Sequence, residues 1–273
     1  MRKKIMVTCA ITFAILNVTA LASTSAFDIK ALDAAVVIEE FIIKHADETA
    51  GVAIAIAGKD EIIFQNSFGY ADIENLRIAD NETLYEWGSV SRLLDYVSIM
   101  QLYEQGRIDL ETDINTYLPE NFLKRLQYSE PITIIHLLHS AAGWQEVAAD
   151  MRHINSNALP DLQGTLQICE PLQIHVPGTI IANSYYSIAM AGYIVERISG
   201  IPFYEYVADN IFAPLSMDCS SIHPTGDDNG FVLENQDKMR SYTDKPEQNT
   251  NYRRYHVSVY QFLLSIGRCS LTN

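Results

Sequence analysis

The chain is poor in positive charge. Its 19 Lys and Arg stand against 34 Asp and Glu, a formal net charge of −15. Nucleic-acid binding needs clustered cations to replace phosphate counter-ions, so so acidic a chain argues against that class of partner. Cysteine is scarce as well, with four in 273 residues. Cys169, Cys219 and Cys269 are the ones beyond the N-terminal region, an odd number at wide, irregular spacing. That pattern is neither a disulfide framework nor a zinc site. One bridge is compatible with an oxidising compartment, but the spacing does not choose the pair. Internal repeats and low-complexity tracts are absent, which excludes solenoids and fibrous arrays. Beyond the first residues no run is long and apolar enough to cross a bilayer.

What is present begins with MRKKIMVTCAITFAILNVTALASTSA. Arg2, Lys3 and Lys4 precede an apolar stretch over 5–21, broken by Thr8, Thr12 and Asn17, and small residues offer cleavage after Ala22 or Ala26. This reads as a secretory signal over 1–26, removed from an exported, periplasmic or extracellular protein with no stable membrane span after cleavage. Removing those three basic residues leaves 16 against 34 acidic ones, a balance of −18 that serves solubility. About 250 residues then remain, enough for one large domain or one domain with a subdomain.

Periodicity predicts an amphipathic helix over 28–46, then two short apolar strands, 51–57 and 61–67, joined by a hairpin at Gly58-Lys59-Asp60. A buried helix is expected from Ser89 to about Gln105, carrying Leu93, Leu94, Val97, Met100, Leu102 and Tyr103 and ended by Gly106. A short helix over 110–118 ends at Pro119, and Thr133 caps another through His139. Helices over 187–198, closed by Ser199-Gly200, and from Ile201 through Ile211 follow. Beyond Pro224 the texture turns polar with little periodicity. One helix, a hairpin and then mostly helices imply an α+β fold, a helical region inserted into a sheet domain.

The sharpest local feature is Gly88-Ser89-Val90-Ser91-Arg92 at the head of the long helix. A serine there meets unpaired backbone N–H groups and the positive dipole end, which favour an oxyanion. The same residue is equally an ordinary N-cap. Ser89 and Arg92, three apart, share a helix face. His136 and His139 have a metal-compatible spacing but lack a further ligand, so a structural use is preferred and no metal or other cofactor is implied. Asp109, Glu111 and Asp113 surround a helix start, and Glu196 and Arg197 read as solvent or packing residues.

Several collinear segments resemble the serine β-lactamase-related family of class C β-lactamases, DD-peptidases and related esterases. They are LYEWGSVSR (84–92), QLYEQGRIDL (101–110), YLP (117–119), ITIIHLL (132–138), AGW (142–144), PG (177–178), GYIVERISG (192–200) and IFAPLSM (211–217), with FGYAD (68–72) and the hairpin also fitting. The resemblance spans about 28–222. It implies a β-lactamase/transpeptidase-like α+β fold, divided into a signal (1–26), a β-lactamase-like domain (27–222) and a divergent C-terminal segment (223–273).

The family uses a Ser-x-x-Lys pair, a Tyr-x-Asn element and a later Lys/His-x-Gly strand element. Ser89 matches the nucleophile. Arg92 stands at the lysine position, and a guanidinium stays protonated and accepts no proton. The second element falls on Asn183-Ser184-Tyr185, with its two functional residue types exchanged. The resemblance thus makes Ser89, Arg92 and Tyr185 the catalytic candidates and Asn183, Ser184 and Tyr186 the substrate-binding ones. The third element is expected beyond residue 273, which reads as a shortened or frame-altered product with an incomplete sheet. Residues 255–260 alternate like a strand and 261–266 are apolar, so they are expected to patch one sheet edge. The implied substrate is a β-lactam, a D-Ala-D-Ala peptide or a small ester, hydrolysed with impaired motifs. The alternatives are a non-catalytic scaffold that binds a peptidoglycan-like ligand or partner protein, or a remnant.

Overall fold

The computed structural model describes residues 26–46, 48–58, 61–146, 161–223, 226–235, 240, 242 and 266–268. The signal expected over 1–26 lies outside them but for Ala26, as does the strand expected at 255–260. The chain divides into two compact units, one of residues 1–49 and 54–66 and one of 50–53 and 67–273.

In the first unit, helix α1 (Ala26–Lys44) ends where the His45 ring lies 4.2 Å from that of Phe41. Strand β1 (Gly51–Ala57) turns into β2 (Ile62–Asp72), closed by the Gly58 N–H donating to the Glu61 carbonyl at 2.7 Å. The second strand runs five residues past the expected end at Ser67. In the second unit that extension pairs antiparallel with β3 (Arg77–Ile78), with Tyr70 opposite Ile78, giving the strand order β1-β2-β3. Gly69 has φ +77°, and a Cβ there would collide with the Ala50 carbonyl oxygen, so the strand crossing needs glycine.

The second unit is built around α5 (Tyr185–Ser199). Its residues 186–195 are all buried, as a helix apolar all round demands. Against it pack α2 (Arg92–Glu104), α3 (Ile134–Leu138), α4 (Leu162–Ile168) and α6 (Phe203–Val207). Leu94, Ile99, Leu102, Ile134, Leu137, Leu166, Met190, Ile194, Phe203 and Val207 fill the core. A π-type turn at Ala208–Phe212 ends the helix expected to run through Ile211, with the Ala213 N–H reaching back to the Ala208 carbonyl at 2.9 Å.

Several local expectations are corrected. The helix expected over 110–118 is a single 3-10 turn, Ile114–Thr116. The Asp109 and Asp113 carboxylates accept the Glu111 and Asn115 N–H groups at 2.8 and 2.9 Å, satisfying locally the donors a helix would use. The long helix is buried on one face: Leu94, Asp95, Ser98, Ile99 and Leu102 point inward, but Leu93, Val97, Met100 and Tyr103 are exposed. The polar C-terminal region contains α7 (Gly230–Asn235), capped by the Asn229 side chain, which accepts from Val232 N at 3.1 Å. Glu196, read as a solvent or packing residue, accepts from Phe203 N at 2.8 Å and so caps α6.

Other stops are formed as their residues direct. Gly106, at φ +68°, and Arg107 return their N–H groups to Tyr103 and Leu102, a Schellman ending. Gly200 closes α5 at φ +84°. The last described strand, β5 (Ile266–Arg268), pairs antiparallel with β4 (Leu84–Glu86), Glu86 opposite Ile266, directly before the Ser89 segment.

Candidate active site

Every candidate side chain lies in the second unit. Ser89 sits in a 3-10 turn, Gly88–Ser91, that leads into α2, and its side chain is exposed. The turn makes Ser89 the second residue of a tight lead-in whose cap position, Trp87, makes no side-chain capping bond. Gly88 takes φ +53°, which bends the chain sharply before the serine.

Arg92 is the first residue of α2 and half-buried. Its guanidinium lies 4.9 Å above the centre of the Tyr185 ring, a cation–π contact that joins α2 to the head of α5. Its Nε is buried with no hydrogen-bond partner. One turn further on, Asp95 is 1 % exposed and its Oδ2 also lacks a partner. Burial raises the Asp95 carboxyl well above its ordinary value; hydrogen bonding to its own backbone and the Arg92 charge oppose that rise. Gly192 of α5 makes room: a Cβ there would lie 3.0 Å from Asp95 Oδ1 and 3.3 Å from the Phe203 ring.

The Asn183-Ser184-Tyr185 element is held by an adjacent loop. The Ala182 N–H donates to Ser140 O at 2.9 Å, Gly178 N to Ala141 O at 2.8 Å and Ile174 N to Gly143 O at 2.8 Å. Gly143, at φ +83°, approaches the His175 carbonyl so closely that any side chain would collide with it. Gly178 is packed as tightly, since a Cβ there would lie 2.8 Å from His136 Nε2. His136 is structural, its Nδ1 accepting the Thr133 N–H at 3.2 Å at the head of α3. Among the described residues no group of three or more His, Cys, Asp or Glu is placed to hold a metal ion.

The six residues divide by environment. Asn183 is exposed, and its Nδ2 donates to Glu146 Oε2 at 3.3 Å; the same oxygen accepts Tyr185 N at 3.3 Å. Ser184 is 2 % exposed and caps α5, accepting Ser187 N at 3.2 Å, so its hydroxyl faces its own helix rather than a ligand. Tyr186 is 1 % exposed and belongs to the core, donating to Leu166 O at 3.2 Å and standing edge-on to Trp144 at 4.8 Å. Burial pushes its phenol far above the ordinary tyrosine value, and the charges of Glu170 and Cys169 push it further. Tyr186 is thus unavailable to a ligand, because α5 rotates it inward as it presents Tyr185 to Arg92. Cys169 and Cys219 carry thiols, and Cys269 lies outside the described residues.

Two residues of this neighbourhood were missed. Asp95 left a readable signal, a lone acid in line with Leu94, Ser98 and Leu102 on the inward face of an apolar helix. Glu146 left none, because a loop-to-helix contact 39 residues apart has no local pattern.

"Protein flp" of Staphylococcus aureus (strain N315) is 24% identical over 206 residues, 73% of this chain and 40% of that protein. The chain therefore spans less than half the length of such curated relatives. The octameric penicillin-binding protein homologue from Pyrococcus abyssi superposes with a TM-score of 0.61 at 25% identity, over 69% of this chain and 44% of that one. A D-amino acid amidase from Ochrobactrum anthropi SV3, complexed with L-phenylalanine amide, shares the fold at a TM-score of 0.70 and 19% identity, over 86% of this chain and 66% of that one. Residues 39–240 match the family described as Beta-lactamase, and the chain belongs to that family.

Proposed function

We propose that this protein is an exported serine acyl hydrolase of the β-lactamase fold, with impaired turnover. It binds a β-lactam, a carboxylate-ended D-amino-acid peptide or a small ester beside Ser89 and acylates slowly. The observation that carries the reading is the Arg92 guanidinium stacked on Tyr185, one helical turn from Ser89. For Ser89 Oγ to attack a carbonyl carbon, its proton must leave as the new C–O bond forms. A guanidinium cannot take that proton. The task falls on Tyr185 in its phenolate form or on water, which takes the proton as the C–O bond forms, while Arg92 stabilises the negative charge that develops on the carbonyl oxygen. A positioned general base contributes about 10²–10⁴-fold, and that is the loss expected relative to a lysine-bearing site.

The test is covalent labelling by a fluorescent penicillin and by a fluorophosphonate. Slow labelling of the parent, absent in Ser89→Ala and faster in Arg92→Lys, is the expected outcome. Rapid stoichiometric capture by the parent would refute the impairment. A parent that neither labels nor gains thermal stability with these ligands would refute the binding site.

A further inference from the structure

Helix α2 is apolar on two faces. Leu94, Ile99 and Leu102 are buried in the core, but Val90, just ahead of the helix, and Leu93, Val97, Met100 and Tyr103 keep between 39 % and 58 % of their surface exposed. Steps of three and four residues align these five into one stripe, about 20 Å long at ~1.5 Å per residue. A helix apolar all round belongs inside a protein, so a stripe of this length is built to be covered. Two contacts fix where the C-terminal part of the chain lies. The Tyr242 hydroxyl accepts the Ile73 N–H at 2.7 Å and donates to Glu74 Oε2, beside the Arg240–Asp72 ion pair. Further on, Ile266, Gly267 and Arg268 pair with Glu86, Tyr85 and Leu84. That antiparallel register directs the chain preceding Ile266 past Trp87 toward Val90, where the stripe begins.

We infer that residues 255–265 of this same chain dock along the α2 stripe. Extended, that segment reaches up to about 36 Å, more than the stripe requires. Its apolar side chains are distributed to match: Phe262, Leu263 and Leu264 stand next to the β5 anchor and meet Val90 and Leu93, while Val257 and Val259 meet Val97 and Met100. Charge fixes the same direction. Arg253 and Arg254, two cations in a chain of net charge −15, arrive at the far end of α2. There the exposed Glu104 and the negative end of the helix dipole await them, with no basic residue in the last turn. The opposite direction would bring the arginines to the positive helix head and leave Glu104 uncompensated. The C-terminal region thereby supports, from the side away from the core, the helix that Ser89 leads into.

The test is photo-crosslinking in the full chain carrying Val97→benzoylphenylalanine, irradiated as a mixture of ordinary and heavy-nitrogen protein and mapped by mass spectrometry. Capture of residues 255–265 within one chain is the expected result. Capture of another segment, of a second copy of the chain, or of solvent alone overturns the inference. Hydrogen exchange of the parent gives a readout that needs no variant. The amides of 255–265 should exchange at least about ten-fold more slowly than those of an unstructured peptide. Val97→Glu should abolish that protection while the amides of α5 stay protected, which shows that the variant still folds. Exchange at the free-peptide rate in the parent, or protection that survives Val97→Glu, overturns the inference as well.

Discussion

Asp95→Asn isolates the buried acid beneath the candidate site. The native side chain is 1 % exposed, and burial raises its carboxyl well above the ordinary range. In the unfolded chain it titrates at the ordinary value of about 3.9. Above that pH the unfolded state has released a proton that the folded state still holds. Stability therefore falls as pH rises, by about 1.4 kcal/mol per pH unit for this one group, until the folded-state value is reached. The further burial lifts the folded-state value, the wider the pH range over which this loss accumulates. Asparagine has nearly the same shape and never ionises. At about pH 4 the two proteins should differ little, and the variant should gain on the parent steadily as pH rises. Urea unfolding at half-unit pH steps measures this, and subtracting the two curves cancels every other titrating group. A difference that stays flat, or that shrinks with pH, would show that Asp95 is ionised in the folded protein and that burial does not dominate its environment.

Gly143→Ala should destabilise the second unit by about 2 kcal/mol or more, since φ +83° and the His175 carbonyl both oppose a Cβ; thermal unfolding reads this, and a neutral outcome would refute the loop geometry. Tyr186→Phe removes the hydroxyl that donates to Leu166 O but keeps the ring against Trp144. It should cost about 1 kcal/mol of unfolding free energy and leave labelling at Ser89 unchanged. A change in labelling without a change in stability would instead place Tyr186 in the site.

Much of the fold could be read from local pattern, because local pattern is what periodicity and punctuation record. The hairpin, Gly106 and Gly200 as stops, the Thr133 start of α3 and the apolar α5 each follow from side chains within a few positions of one another. The overestimate over 110–118 arose where two aspartates satisfied backbone donors that a helix would need. The overlooked α7 begins at an asparagine cap in polar surroundings, where apolar spacing carries no information.

The family, the α+β class and the chemical identity of the groups near Ser89 are already written in the order of residues: a permanent cation three residues on and an exchanged Asn-x-Tyr element. Which of those groups meet depends on how the helices pack. A single residue step on α5, about 100° of helix, separates Tyr185, stacked on Arg92, from Tyr186 in the core. Burial between α2 and α5 raises the carboxyl of an unremarked aspartate one turn along from the Arg92 guanidinium. Desolvation and contact depend on what other segments bring to a residue, so neither quantity is written in the residue's own neighbourhood along the chain.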